Sequence, residues 1–135
     1  LPDGFEHARE KCEKMLAELN VPLEKIVLGG FSQGSMMATA LSVRAKKAPA
    51  GLAILSGTLL DADNLRKAAP KRAGLPFFQS HGTQDPILPY AAAKRLFAVL
   101  EDAGLNGEFH AFDGGHEIPP DVMNKLNSFL EKTIP

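Results

Sequence analysis

A serine stands between two glycines in Gly30-Phe31-Ser32-Gln33-Gly34, after an apolar run ending at Leu28 and before small and apolar residues from Met36. A tight turn from strand to helix throws one side chain outward and crowds the backbone on either side. Small neighbours relieve that crowding, and Gly30 and Gly34 supply them in the pattern G-x-S-x-G. A serine hydroxyl attacks a carbonyl only when a base takes its proton, and that base needs a carboxylate to hold its tautomer. Two later loops hold such groups: Asp85 in His81-Gly82-Thr83-Gln84-Asp85-Pro86 and His116 in Asp113-Gly114-Gly115-His116. Each loop follows a predicted strand. In a parallel sheet such loops gather at the carboxyl edge that presents Ser32. The turn also aims the backbone N–H of Gln33, at the start of the helix, toward an anion. The chemistry expected is acyl transfer, with Ser32 as nucleophile, His116 as base and Asp85 as the orienting acid.

Simpler roles are open to some of these residues. Ser32 is also a candidate helix cap. His81 is a candidate base or ligand, but its place before Gly82 suits local hydrogen bonding that shapes the Asp85 loop. His110 falls within a strand and His7 on a helix, as structural or exposed residues do. Asp113 is an alternative acid, yet it lies three residues from His116 and fits the turn better. Asp61 and Asp63 read as solvated loop acids. His81, Asp85 and His116 have acceptable ligand types for a metal, but no zinc-type spacing accompanies them. No glycine-rich nucleotide motif follows Gly29-Gly30. The reading therefore requires neither metal nor cofactor.

The elements needed to position these residues are legible. Apolar residues at Phe5, Ala8, Cys12, Met15, Leu16 and Leu19 predict a helix over 5–19, ended before Asn20-Val21-Pro22. The run 26–28 predicts a strand buried on both faces, and 36–44 a helix. A second strand is expected over 51–55, a short helix near 64–69 and a third strand over 76–80. A helix over 90–103 stops at Gly104. A fourth, less apolar strand is expected over 108–112, and a closing helix over 122–130. Apolar strands joined by helix-length connections imply a mostly parallel sheet flanked by helices, an α/β fold.

Composition narrows the classes. The chain has 135 residues, 44% hydrophobic and 23% charged, enough for one soluble domain and against disorder. Fifteen basic and sixteen acidic residues leave a net charge of −1, with no basic stripe for nucleic acid. A lone cysteine, Cys12, excludes an internal disulfide and suits a reducing compartment. No apolar run reaches the length of a membrane span. Met36 and Met37 read as core filler.

The segments GGFSQGSMMA from Gly29, LSGTLL from Leu55, HGTQDPILPY from His81 and FDGGHEIPP from Phe112 resemble the phospholipase/carboxylesterase family of α/β-hydrolases, which includes the acyl-protein thioesterases. The resemblance implies an α/β-hydrolase fold and cleavage of carboxylic esters or thioesters, with acylated proteins or small esters as substrates. It places the nucleophile at Ser32, the acid at Asp85, the base at His116 and one oxyanion donor at the Gln33 backbone. It also suggests Leu59, Leu60, Ile87 and Leu88 near the acyl group, a cytoplasmic location and, for some members, a homodimer. Two departures stand out. Ser35 replaces a glycine usual in the family. Nothing in residues 1–24 matches the family's early strands or its L-H-G-type oxyanion segment, so 1–135 is expected to be a single partial α/β-hydrolase domain completed by an N-terminal segment. A non-catalytic binding protein on the same fold, or an amidase or peptidase with the same triad, are the competing readings.

Overall fold

The computed structural model describes residues 1–135. Four strands, β1 (Val27–Phe31), β2 (Gly51–Leu55), β3 (Pro76–Gly82) and β4 (Asn106–Phe112), form one sheet in the order β1-β2-β3-β4. Every pairing is parallel, as the crossover-length connections require. The helices are α1 (Phe5–Glu18), α2 (Gln33–Arg44), α3 (Ala62–Ala68), α4 (Tyr90–Asp102) and α5 (Pro120–Thr133). Short 3₁₀ segments follow at Leu23–Lys25 and Ala69–Arg72.

The side-chain alternation of the two central strands builds a core on each face. Leu52, Ile54 and Phe77 pack with Ala38 and Val43 of α2, Leu65 of α3, and Leu96 and Leu100 of α4. Ala53, Leu55 and Phe78 pack with Val122, Leu126 and Phe129 of α5. Gln79, fully buried in β3, donates from Nε2 to the Ala93 carbonyl (2.8 Å) and so ties α4 to the sheet. Arg72, also buried, donates from Nε to the Ser42 carbonyl (2.7 Å) and from its guanidinium to the Ala45 carbonyl. It closes the carboxyl end of α2, where a cation meets the negative end of the helix dipole.

Three expectations need correction. Within these 135 residues the first strand is half-buried, with Gly29 exposed, where burial on both faces was expected. It also runs on through the glycines to Phe31, because Ser32 N–H still donates to the Leu55 carbonyl (2.8 Å). Helix α2 begins three residues before the position expected, directly after the turn at Ser32. Strand β3 takes in His81 and Gly82, which pair with Ala111 and Phe112. Helix α1 starts at Phe5 as expected and ends one residue early at Glu18; it buries no residue completely, and Met15 and Leu19 are exposed. It is moored by charge: Glu6 binds both Arg44 of α2 (2.6 Å) and Arg9 (3.1 Å). No helix is long and apolar enough to cross a membrane.

Candidate active site

The carboxyl ends of the strands carry the three residues singled out by spacing. Ser32 follows β1 with φ 58° and ψ −121°, a backbone state a side chain rarely adopts. The price is met by the surrounding backbone. A side chain at Gly30 would collide with the backbone of Gly34 and Ser35, so only glycine fits there. Gly34 differs from the expectation: a side chain at that position would stand in open space. The Ser32 side chain makes no capping bond to α2. Its Oγ instead lies 3.0 Å from His116 Nε2.

His116 Nδ1 lies 2.8 Å from Asp85 Oδ2. A carboxylate accepts, so this contact places the proton on Nδ1 and leaves Nε2 as an acceptor for the Ser32 hydroxyl. The imidazole rests against the Phe31 ring, centroid to centroid 4.8 Å. Phe31 was not singled out by spacing, although it adjoins the serine. Asp85 is buried, and its Oδ1 accepts from the backbone N–H groups of Ile87 and Leu88, both at 2.8 Å. Burial pushes the Asp85 carboxyl up, but the Leu88 N–H, the His116 side chain and the Ile87 N–H together outweigh it and hold the group below its ordinary value.

His81 is fully buried beside this acid. Its Nε2 lies 2.7 Å from the Leu88 carbonyl and 3.3 Å from Asp85 Oδ2. Two imidazoles thus address one carboxylate oxygen, and they face Asp85 rather than a common point where an ion could sit. No group of three His, Cys, Asp or Glu side chains has the geometry to hold a metal.

Main-chain bonds carry the sheet ladder past the strand ends into these loops. Ser56 N–H donates to the Ser80 carbonyl (3.0 Å), Thr83 N–H to Phe112 (2.9 Å) and Gln84 N–H to Gly114 (2.9 Å). A side chain at Gly82 would strike the carbonyls of Gly114 and Gly115, so the acid and histidine loops touch backbone to backbone. Ser56, in the left-handed region at φ 53°, sets its Oγ 3.4 Å from the Glu117 carbonyl, next to His116. No spacing argument points to Ser56. Only a positive-φ serine at a strand end reveals it, and that is not readable from one sequence.

The remaining candidates lie apart. His110 is half-buried in β4 against Phe78 (4.9 Å), with Nε2 3.3 Å from Glu108 Oε1. His7, Asp63 and Asp113 are exposed, and Asp61 precedes α3, accepting from the Asn64 amide (2.6 Å). The four residues suggested near the acyl group differ in burial and surroundings. Leu60 lines a mostly apolar cavity of about 60 Å³ with Met36, Thr39 and Leu65. Leu59 packs on the core, Leu88 is half-buried and Ile87 is exposed.

The chain matches the Phospholipase/Carboxylesterase family over residues 3–134. It is 36% identical over 121 residues to an acyl-protein thioesterase 1 of Mycosarcoma maydis, covering 85% of this chain and 50% of the relative. The acyl-protein thioesterase 1 of Neurospora crassa is 31% identical over 119 residues, covering 85% and 49%. The chain therefore spans about half the length of these relatives. Its fold is similar to that of Zea mays acyl-protein thioesterase 2, with TM-score 0.81 at 23% identity, over 98% of this chain and 66% of the other. It is likewise similar to a phospholipase/carboxylesterase from Dyadobacter fermentans, with TM-score 0.81 at 24% identity, over 95% and 64%. A strained serine turn on a parallel sheet and a match running nearly end to end lead to one assignment: this chain has an α/β-hydrolase fold and belongs to the phospholipase/carboxylesterase family.

Proposed function

We propose that this chain carries the nucleophile, base and acid of a serine hydrolase that cleaves carboxylic esters or thioesters of acyl substrates. The observation that carries the reading is the continuous line Ser32 Oγ to His116 Nε2 (3.0 Å), then His116 Nδ1 to Asp85 Oδ2 (2.8 Å). As Ser32 Oγ bonds to the substrate carbonyl carbon, its proton passes to His116 Nε2. Asp85 keeps the imidazole in the required tautomer and stabilises its cationic form. The carbonyl π pair moves to oxygen, which rests on the Gln33 N–H, the first amide of α2 and without an intrahelical acceptor. His116 then protonates the departing alcohol or thiol, and water releases the acyl group from Ser32 by the reverse proton path. No step needs a cofactor.

The relatives' greater length supports assigning the second oxyanion donor, and much of the acyl pocket, to a segment outside these 135 residues. Small esters and acylated proteins both fall within the proposal. A cytoplasmic location and a homodimer belong to it too, and are read by fractionation and sedimentation of the natural protein. The central test is the full natural protein with and without Ser32→Ala. Wild type is expected to hydrolyse a short acyl ester and to take a fluorophosphonate label on Ser32, and the variant to do neither. Ester turnover unchanged in the variant sinks the proposal. An unlabelled, inactive wild type supports a binding protein instead, and faster turnover of a matched amide supports an amidase.

A further inference from the structure

We infer that Ser35 is a positioning residue for the oxyanion donor, an inference that rests on the hydrolase reading above. Ser35 is wholly buried in the first turn of α2, and its Oγ donates to the Ser32 carbonyl at 2.5 Å. The same carbonyl also accepts from the backbone N–H groups of Ser35 (3.0 Å) and Met36 (3.4 Å), so the hydroxyl adds the shortest of three bonds. A peptide unit is planar and trans, so the Ser32 carbonyl and the Gln33 N–H are opposite ends of one rigid plate. Holding the carbonyl end fixes the direction of the N–H end. That plate is the one whose orientation is set by the strained torsions φ 58° and ψ −121° at Ser32. A donor to the carbonyl also polarises the peptide and makes its N–H the stronger donor.

A buried helix serine often bonds the carbonyl one turn back merely to satisfy its hydroxyl, and Thr39 does this with the Ser35 carbonyl (2.8 Å). Ser35 differs in its acceptor, which belongs to the nucleophile's own peptide, and in its confinement. Gly57, in the loop after β2, lies so close that a side chain there would come within 2.5 Å of Ser35 Oγ and 2.8 Å of Ile54 Cγ2. With that wall in place the hydroxyl has no route to solvent. The loop after β2 thereby presses the hydroxyl onto the peptide that faces the oxyanion.

The test compares wild type, Ser35→Ala and Ser35→Cys in the full natural protein. Its readouts are kcat and KM for an acyl ester and the inhibition constant of an alkyl trifluoromethyl ketone. That ketone adds to Ser32 Oγ: the O–C bond forms, the carbonyl pair becomes the oxyanion, and the serine proton goes to His116. Losing one hydrogen bond that orients the donor is expected to lower kcat about tenfold in Ser35→Ala, with KM within twofold. The ketone is expected to weaken by the same factor. Ser35→Cys, whose thiol is bulkier and donates only weakly, is expected to fall between. Wild-type kcat and ketone affinity in folded Ser35→Ala overturn the inference, as does a loss seen in KM alone. Should Ser35→Ala fail to fold, Ser35→Cys is judged by the same two criteria. Failure of this inference leaves wild-type turnover and labelling intact, whereas failure of the hydrolase reading removes both.

Discussion

Asp85→Asn discriminates sharply because of where each carboxylate oxygen points. Oδ1 accepts from the Ile87 and Leu88 N–H groups, and Oδ2 faces His116 Nδ1 at 2.8 Å and His81 Nε2 at 3.3 Å. An asparagine keeps its carbonyl oxygen toward the two backbone donors, since turning it would set two N–H donors against its own NH₂. Its NH₂ then meets His116. The imidazole must accept at Nδ1, so its proton moves to Nε2, the atom that should take the proton of Ser32. A wrong-tautomer lesion in a serine triad lowers kcat by roughly 10⁴, or about 5 kcal/mol of barrier. The assay is single-turnover ester hydrolysis by the full natural protein, with circular dichroism showing that the variant is folded. KM is expected to change little, because the acid touches no substrate. Folded Asp85→Asn within tenfold of wild-type kcat would refute both the tautomer argument and the role of the acid.

Asp85 also predicts a pH dependence. Its pKa is lowered in the folded state, so the stabilisation it gives is complete above the unfolded-chain value and is lost as pH falls through the lower folded value. Acid unfolding of wild type is expected to steepen in that window, and Asp85→Asn to flatten it. Phe31→Ala removes the ring packed on His116; at about 1 kcal/mol for such a contact, kcat is expected to fall several-fold in steady-state assays. Arg72→Ala leaves the Ser42 and Ala45 carbonyls without their charged donor, a loss of roughly 3 kcal/mol read from urea unfolding. Gly30→Ala drives a side chain into the Gly34 backbone and is expected to abolish folding, while Gly34→Ala keeps the thermal midpoint near wild type.

The parts of this site that spacing could reveal are those whose chemistry is local. G-x-S-x-G marks a turn because only glycine tolerates the approach at position 30, and the structure bears this out at Gly30 but not at Gly34. Strand β2 was legible end to end because all five of its residues are buried, giving an unbroken apolar run. Strand β1 reads Val27-Leu28-Gly29-Gly30-Phe31 and is half-buried within these 135 residues, where it pairs with β2. Its burial depends on what pairs with it, and no residue type records that. The bonds that hold the loops were illegible for a related reason. Ser56 and Ser35 act through φ, confinement and backbone carbonyls, and a serine in a string of letters carries none of these.

That difference explains how a few side chains can be held so closely on loops. Ser32, Ser56, Thr83 and Gln84 each donate a backbone N–H to the neighbouring strand or its loop, so the ladder continues one step beyond the sheet proper. The serine loop is thereby tied to β2, β2's end to β3, and the acid loop to the histidine loop. A shift of any one loop breaks a main-chain bond to the next, and such bonds are costly to leave unmade in a buried setting. The hydroxyl, imidazole and carboxylate need only the correct rotamers on a frame already in register. At the nucleophile the Ser35 hydroxyl and the close approach at Gly30 add to that frame.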